Sequence, residues 1–468
     1  MAVGETYDPG KHPDLPPPLT QVGVLGWLRQ NLFSSPLNIG LTALGLFLIW
    51  LLIPPLIEWS VTSSIISGNN RIVCDIGRFG SRFGEAAAAA DLQRLDSPQT
   101  TKNLSDAQDY LRNFNAGIAK EDAVIPADLA SILTTTDTQK VAKDLDEAIN
   151  QGDAERIAAD FRIMQPIVGW SHGYDGACWT FIKVWFKQLM YGLYPVEQLW
   201  RINLAFAILI IAAAPLFFQG VPGKRYIAGF LLLLYPLIAF YLFYGGAFGL
   251  EIVETRLWGG LFLTLVIAGV GIVASLPIGI VLALGRRSHM PIVRAICVAF
   301  IELWRGVPLI SVLFMASVMF PLFLPEGVNF DQLVRALAGV ALFSSAYMAE
   351  VVRGGLQAIP KGQYEAAEAM GLSYWKSMGL IIMPQALKLV IPGIVNTFIG
   401  LFKDTTLVVI IGLVDLLGAT QRAGNDKFWV GFSTEGYAFA AFGFWIFCFG
   451  MSRYSQYVER KLETGHKR

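Results

Sequence analysis

Long apolar runs separated by short charged segments set the pattern of this chain. A bilayer crossing needs about 20 predominantly apolar residues, and about eight runs approach that length. They are Ile39–Ile57, Ile202–Phe218 (short, with Pro215), Ile227–Tyr244 and Leu257–Gly285 (long, with Pro277). The others are a fifth with its apolar heart at Val307–Leu324, Leu333–Met348 flanked by Glu350, a seventh beginning near Leu389, and Tyr437–Met451. The pattern changes between the first and second runs, where Glu58–Arg201 is polar and charged. The middle of that block, Ala86–Phe161, is rich in Ala, Asp and Lys, with helical periodicity in Ser105–Phe114 and Lys140–Phe161. It predicts a small helical domain inserted between two spans. Trp179–Leu193 mixes Trp, Phe and Lys, which suits a helix lying in the membrane interface.

Composition agrees. The 468 residues are 54% hydrophobic and only 15% charged, where ordinary soluble domains carry about 25%. Lys+Arg and Asp+Glu balance at 36 each, so no basic excess points to nucleic acid or to a polybasic membrane patch. Met1–Gln21 is polar and Pro-rich and lacks the parts of a signal peptide, so the first apolar run is expected to remain as a span. Four cysteines and four histidines, His12, His172, His289 and His466, fall in no metal or redox spacing, and no metal site is expected. Gly223–Lys224 superficially suggests the end of a phosphate-binding loop. Phe218 stands where its first Gly belongs and Arg225 where Ser or Thr should follow. No activated nucleophile set is present either, so no catalytic residues and no ATP hydrolysis by this chain are expected.

Basic residues in short loops orient the spans. With the N-terminus inside, the inner segments hold Lys11, Arg29, Lys224, Arg225, Arg286, Arg287, Arg294, Arg353, Lys361, Lys376, Lys388 and a basic C-terminal tail. The outer ones hold Arg256, Lys403, Arg422 and Lys427, with Arg335 at the outer end of its span. Both termini are thus expected inside, the 58–201 block outside, and the loop between the sixth and seventh runs inside.

That inner loop carries Glu365-Ala366-Ala367, then Gly371, Ile381 and Met383-Pro384. The pattern resembles the EAA loop of bacterial ABC-importer permeases, whose Leu before the Pro is Met383 here, a volume-conserving exchange. Gly362–Met370 can form a slim helix with Glu365 and Glu368 on one face. Gly371 can end it in a left-handed conformation, Ser373 could cap the next helix, and Pro384 marks the turn toward the seventh span.

The resemblance extends from Leu257 to the C-terminus, a little under half of the chain. It includes Gly260-Leu261-Phe262-Leu263-Thr264-Leu265, Ile301–Leu309, Ala349–Gly355, Ala358–Gln363 and Phe402–Leu407. These stretches resemble the permeases of the polar and general L-amino acid type.

The fold this implies is all-α and polytopic. A five-helix permease core (251–468, with the coupling loop at 351–387) would follow a cytoplasmic tail (1–38), a first span (39–57), a periplasmic helical insert (58–201) and two further spans (202–250). The function implied is the membrane subunit of an ATP-driven importer of polar or broad-range L-amino acids in the bacterial inner membrane. Its partners would be two ATP-binding subunits carrying ATP and Mg, a homologous second permease, a periplasmic substrate-binding protein and membrane lipid, with no nucleic acid. Two other classes compete: an ion-coupled secondary transporter, which would be favoured by inverted repeats, and a membrane sensor, which would need a signalling domain.

Remaining polar residues leave alternatives open. In an oxidising periplasm Cys74 and Cys178 could pair, worth roughly 4–5 kcal/mol for a loop of about 100 residues, or stay as buried thiols. Glu302 and Arg305 can pair at the membrane edge, and Glu350 with Arg353 can orient the coupling loop. Lys403-Asp404-Thr405-Thr406 interrupts an apolar run, Leu389–Leu417, too long for one span, which reads as a break followed by a re-entrant segment. Asp404 and Thr405 are then candidates to line the pathway, against a structural Lys403–Asp404 contact.

Overall fold

The computed structural model describes residues 23–65, 71, 74–75, 78–119, 127–171, 176–218, 220–325, 330–427 and 429–462. Most of the expected N-terminal tail, His12, His172, His466 and the last basic residues lie outside the described residues. The chain forms two compact units, Met1–Trp179 and Thr180–Arg468.

In the first unit, Ser35 opens the first long helix by accepting the Asn38 amide at 3.1 Å, with Pro36 in the first turn, where its missing N–H costs nothing. Pro36–Ile57 is apolar on every side and buries none of its side chains, the signature of a helix whose solvent is lipid. Pro54 and Pro55 sit inside it, and it runs on as a π-turn, Glu58–Thr62.

The insert is a bundle of Phe79–Ala89, Pro98–Ile118, Ala127–Leu133, Thr138–Gln151 and Ala154–Ser171. Phe79, Phe83, Leu111, Leu145 and Met164 fill its core. Its helices start where side-chain caps stand, Ser97 before Pro98 and Asp137 before Thr138. The periodic stretch Lys140–Phe161 is two helices because Gly152 takes φ +68° and the Asp153 amide bonds back to the Ala148 carbonyl, a helix stop that apolar periodicity does not register.

The insert returns to the end of the first span. Ile65 donates to Ala177 and accepts from Trp179, both at 2.8 Å, and the Ala177 amide reaches the Trp59 carbonyl at 2.7 Å. A disulfide joins Cys74 to Cys178, Cα–Cα 5.8 Å.

The unit boundary at Trp179 falls earlier than the expected 201. Thr180–Tyr191 packs Phe181, Ile182 and Leu189 against the Gly260–Arg286, Leu416–Gly424 and Ser433–Leu462 helices of the second unit. Its apolar face is core, and the face with Lys183, Val184, Phe186 and Lys187 stays exposed.

Among the described residues, six helices are long and apolar enough to cross a membrane: Pro36–Thr62, Val196–Phe217, Lys224–Tyr244, Gly260–Arg286, Gln332–Ala358 and Ile391–Ile411. A seventh arises if Pro291–Gly306 and Leu309–Phe323, bent by 103°, count as one. The expected fifth run is thus the second arm of a bent pair. Pro308 holds Val307 extended (φ −113°, ψ 135°), which stops the first arm. The expected eighth run lies inside Ser433–Leu462, which is not among the six; its Glu435, tyrosines and Trp445 dilute its hydropathy.

The expected break at Lys403–Thr406 is instead a change of helix type. Thr405 and Thr406 donate their hydroxyls to the carbonyls three residues back, at 2.8 and 2.9 Å, and the α-helix tightens into a 3₁₀-helix, Thr405–Ile411. The chain turns only at Gly412, φ +85°. The following pair Val414–Asp415 then lies beside Gly259 and Gly260.

At the centre of this unit, Gly260–Arg286 lies along Gln332–Ala358. A Cβ on Gly279 would stand 2.8 Å from the Met348 side chain, so only a hydrogen there permits this approach. Gly355 similarly faces the Ala386 carbonyl, 2.6 Å from where its Cβ would be.

Asp160 generates a test in the insert. It is buried with Oδ2 unpartnered, and burial, then the Asp144 charge, push its carboxyl above the ordinary 3.8 against a smaller opposing pull from Arg156. The folded state therefore holds this proton more tightly than the unfolded one, and the insert loses stability as pH rises from about 4 through the raised value. Asp160→Asn is expected to stabilise the insert at pH 7 by about 1–3 kcal/mol and to remove this slope. Hydrogen exchange of Pro98–Ile118 across pH 4–8 checks both.

Candidate functional site

The end of the second unit where Gln332–Ala358 stops carries a compact, strongly polar construction on an apolar footing. Met348, Val352, Leu356 and Ile359 pack with Ile382, Ala386 and Ile394. The segment after Ala358 is thereby pinned and is no loose loop. It comprises the helix Lys361–Ala369, a turn, and a second helical stretch running from Tyr374 to Leu389 through a π-turn at Met378–Ile382.

The first helix is the exposed one. Ala367 is buried on its inner side, while Glu365, Ala366, Glu368 and Ala369 face outward. Met370 and Trp375 stand 78% and 73% exposed just beyond it. Gly371 has φ +68°, its amide bonds to Glu368, and the Leu372 amide bonds to Ala367 at 3.2 Å. This is the left-handed helix stop that the Gly predicts.

Two details differ from expectation. Ser373 occupies the cap position of the next helix but makes no side-chain capping bond. Pro384 marks no turn: it sits in the first turn of Met383–Leu389, where its missing N–H is tolerated, and the chain turns at Val390.

Tyr364 locks the exposed helix to the core. Its hydroxyl donates to the Leu356 carbonyl at 3.0 Å. Arg287 donates to the same carbonyl and to the Tyr364 oxygen, each at 3.0 Å, and its guanidinium lies 5.5 Å from the Tyr364 ring centre. A polar recess of about 400 Å³ is lined by Arg287, Gln357, Lys361, Tyr364, Glu365 and Glu368. No sequence spacing pairs Arg287 with Tyr364; the double arginine closing a long apolar run was the only local signal.

One turn further in lies an ionic hub. Glu350 receives Arg286 at 2.7 Å and Arg353 at 2.7 Å, with Arg305 at 3.8 Å. Arg286 also reaches Glu302 at 3.2 Å. The expected Glu350–Arg353 pair forms. The Glu302–Arg305 pair does not, because each turns to a partner on another helix. Arg286 and Arg305 stand in the last turns of their helices, where the helix dipole favours cations. Glu350 is only 16% exposed, so its charge depends on these partners.

The remaining candidates lie apart from this end. Asp404 is half-buried at the close of Ile391–Asp404. Thr405, 1% exposed, spends its hydroxyl proton on the Phe402 carbonyl, which leaves it no donor for a solute. An apolar recess of about 680 Å³ is lined by the bent pair and the Gln332–Ala358 helix, including Trp304, Met315, Met319, Phe323 and Leu342.

Comparison with known proteins gives a consistent answer. The family described as "Binding-protein-dependent transport system inner membrane component" matches residues 275–464. The chain is 65% identical over 291 residues to the inner membrane amino-acid ABC transporter permease protein YhdY of Escherichia coli (strain K12), covering 62% of this chain and 79% of that protein. It is 37% identical over 512 residues to the glutamate/glutamine/aspartate/asparagine transport system permease protein BztC of Rhodobacter capsulatus, covering 97% and 96%. Among solved structures, it is similar to an amino acid ABC transporter crystallised with histidines, at 28% identity and TM-score 0.39, over 43% of this chain and 92% of the other.

The Tyr364 lock is open to test. Tyr364→Phe removes the hydroxyl that bridges Arg287 and Leu356, a net loss of about 0.5–1.5 kcal/mol. Amide exchange in Lys361–Ala369 is expected to quicken by up to about tenfold, with exchange in Gly260–Arg286 unchanged.

Proposed function

The chain belongs to the family of binding-protein-dependent inner-membrane transport components, the permeases of ABC importers, and from that premise we propose how it works and what it carries. It moves amino acids across the bacterial inner membrane, the cargo class printed in the names of its relatives. Two ATP-binding subunits, which hold the ATP and Mg, grip the Lys361–Ala369 helix. A periplasmic binding protein delivers the cargo, and a second, homologous permease chain completes the pathway. An ion-coupled secondary transporter finds no support among the relatives.

One observation carries this reading. The helix bearing Glu365, Ala366, Ala367 and Glu368 is rigidly footed on the core through Tyr364 and Ala367, yet its outer face and the neighbouring Met370, Tyr374 and Trp375 stand exposed. Small side chains let it enter a groove, two carboxylates one turn apart offer charge-assisted contacts there, and exposed Met and Trp are the side chains that partner surfaces favour. An element that is stiff inside and bare outside suits a lever, and rigid-body rocking is how such pathways switch access.

The orientation follows two independent arguments. Basic residues favour the Glu365 end and both termini as cytoplasmic, and a disulfide between Cys74 and Cys178 belongs in an oxidising compartment, the periplasm. Asp404 is the pathway-lining acid in this scheme, because a half-buried carboxylate on a membrane-length helix is costly unless it serves a solute or a partner. The 680 Å³ apolar recess is the surface the second permease covers.

Two measurements test the scheme. Glu365→Lys, or Gly371→Trp at its left-handed φ of +68°, should abolish ATP-driven uptake while the binding protein keeps its affinity for cargo. Normal uptake by either variant overturns the coupling role. In intact spheroplasts, a membrane-impermeant maleimide should label Cys74 and Cys178 only after reduction, whereas labelling from the cytoplasmic side alone reverses the orientation.

A further inference from the structure

We infer that the Glu350 hub is the positioning device that makes the bent pair, Pro291–Gly306 with Leu309–Phe323, follow the coupling helix. The inference rests on the proposed coupling role of Lys361–Ala369 and adds how its motion reaches the pathway side.

The argument begins with how unequally the hub's helices are held. Gly260–Arg286 and Gln332–Ala358 are closely packed along their length, with Gly279 against Met348. That contact does not need ions. Pro291–Gly306 is different, since Cys297 and Ile301 are the residues it buries. It also rests Trp304 against the core and sets Arg305 5.6 Å from the Tyr347 ring centre, and beyond these lighter contacts its hold on both neighbouring helices is ionic. Arg305 reaches Glu350 on Gln332–Ala358, and Glu302 reaches Arg286 on Gly260–Arg286, at 3.8 and 3.2 Å. Both links converge on one cluster, because Arg286 itself bonds Glu350 at 2.7 Å.

Glu350 also stands on the helix that leads into the coupling segment, two turns before Ala358. Displacing Lys361–Ala369 through its Tyr364 footing therefore moves Leu356 and Glu350 with it. The ionic links then draw the end of Pro291–Gly306 along. Beyond the 103° bend at Val307–Pro308, the second arm lines the apolar recess. A pull at the near arm thus becomes a rotation of the far arm, the hinge being backbone that Pro308 keeps out of the helix. Were the hub absent, the coupling helix would still move with its own helix, and the bent pair would lag.

Glu302 and Arg305 are 58% and 38% exposed at their side chains, so replacing them spares the core. The double variant Glu302→Gln/Arg305→Gln cuts both links to Pro291–Gly306 and leaves Arg286–Glu350–Arg353 intact. The whole complex, reconstituted in vesicles with its ATP-binding subunits and loaded binding protein, is assayed for ATP hydrolysis and for cargo uptake. Hydrolysis stimulated by the binding protein is expected to persist, while cargo moved per ATP falls about tenfold. The conservative pair Glu302→Asp/Arg305→Lys should recover at least half of that ratio.

An unchanged ratio in the Gln double variant overturns the inference. So does a parallel fall of hydrolysis and uptake, which is what mere loss of fold produces, or failure of the conservative pair to recover the ratio. If the unsubstituted complex itself shows no hydrolysis stimulated by the binding protein, it is the proposed coupling function that fails, and the two failures are told apart.

Discussion

The close lie of Gly260–Arg286 along Gln332–Ala358 is the constraint from which the functional end of the molecule follows. In lipid, apolar side chains gain little by meeting one another, so helices associate where small residues let backbones approach and dispersion contacts accumulate. Gly279 under Met348 supplies such a place. Once the two helices are set at this distance, their ends fall into register. Arg286 comes within 2.7 Å of Glu350, and Arg287 comes within 3.0 Å of the Leu356 carbonyl and the Tyr364 hydroxyl. A wider helix spacing would separate both arginines from their partners, and neither the hub nor the footing of Lys361–Ala369 would form.

The charged groups at this end hold one another in place. A carboxylate as sheltered as Glu350 stays ionised only if cations repay its desolvation, and three arginines from three helices do so. The same ions that satisfy the site electrostatically also define the relative positions of those helices. Apolar contacts resist separation but permit sliding, whereas a multivalent ionic contact resists both, and the polar end is accordingly where these helices are most firmly held together.

The insert follows a separate logic. It has its own apolar core and is joined to the first span by a paired neck and a disulfide at its base. Its helices obey the rules of a water-soluble bundle, with side-chain caps, a glycine stop and polar outer faces, while the span that precedes it buries no side chain at all. Two solvents, water and lipid, thus act on adjacent stretches of one chain, and each stretch is patterned for its own.

Much of this was legible in the residues themselves. Apolar runs of bilayer length located most of the spans, because the hydrocarbon thickness fixes how many helical residues cross it. Glu365-Ala366-Ala367 with Gly371 foretold the exposed helix Lys361–Ala369 and its end, since the left-handed stop and the slim outer face are properties of those residue types. Other features depended on distance in space. The two helices in Lys140–Phe161, the 3₁₀ continuation past Asp404 and the bend at Pro308 turned on a Gly conformation, two hydroxyl bonds and the extended backbone that a proline ring imposes on Val307, which hydrophobic periodicity averages away. The exchange of partners that draws Glu302 to Arg286 and Arg305 to Glu350, and the Arg287–Tyr364 lock, join residues far apart in sequence. Local spacing offered the wrong pair for Glu302 and no pair for Tyr364. Only the packed helices bring those groups within reach, because an ion pair or hydrogen bond is decided by a few ångströms of separation, and that separation is set by tertiary contact.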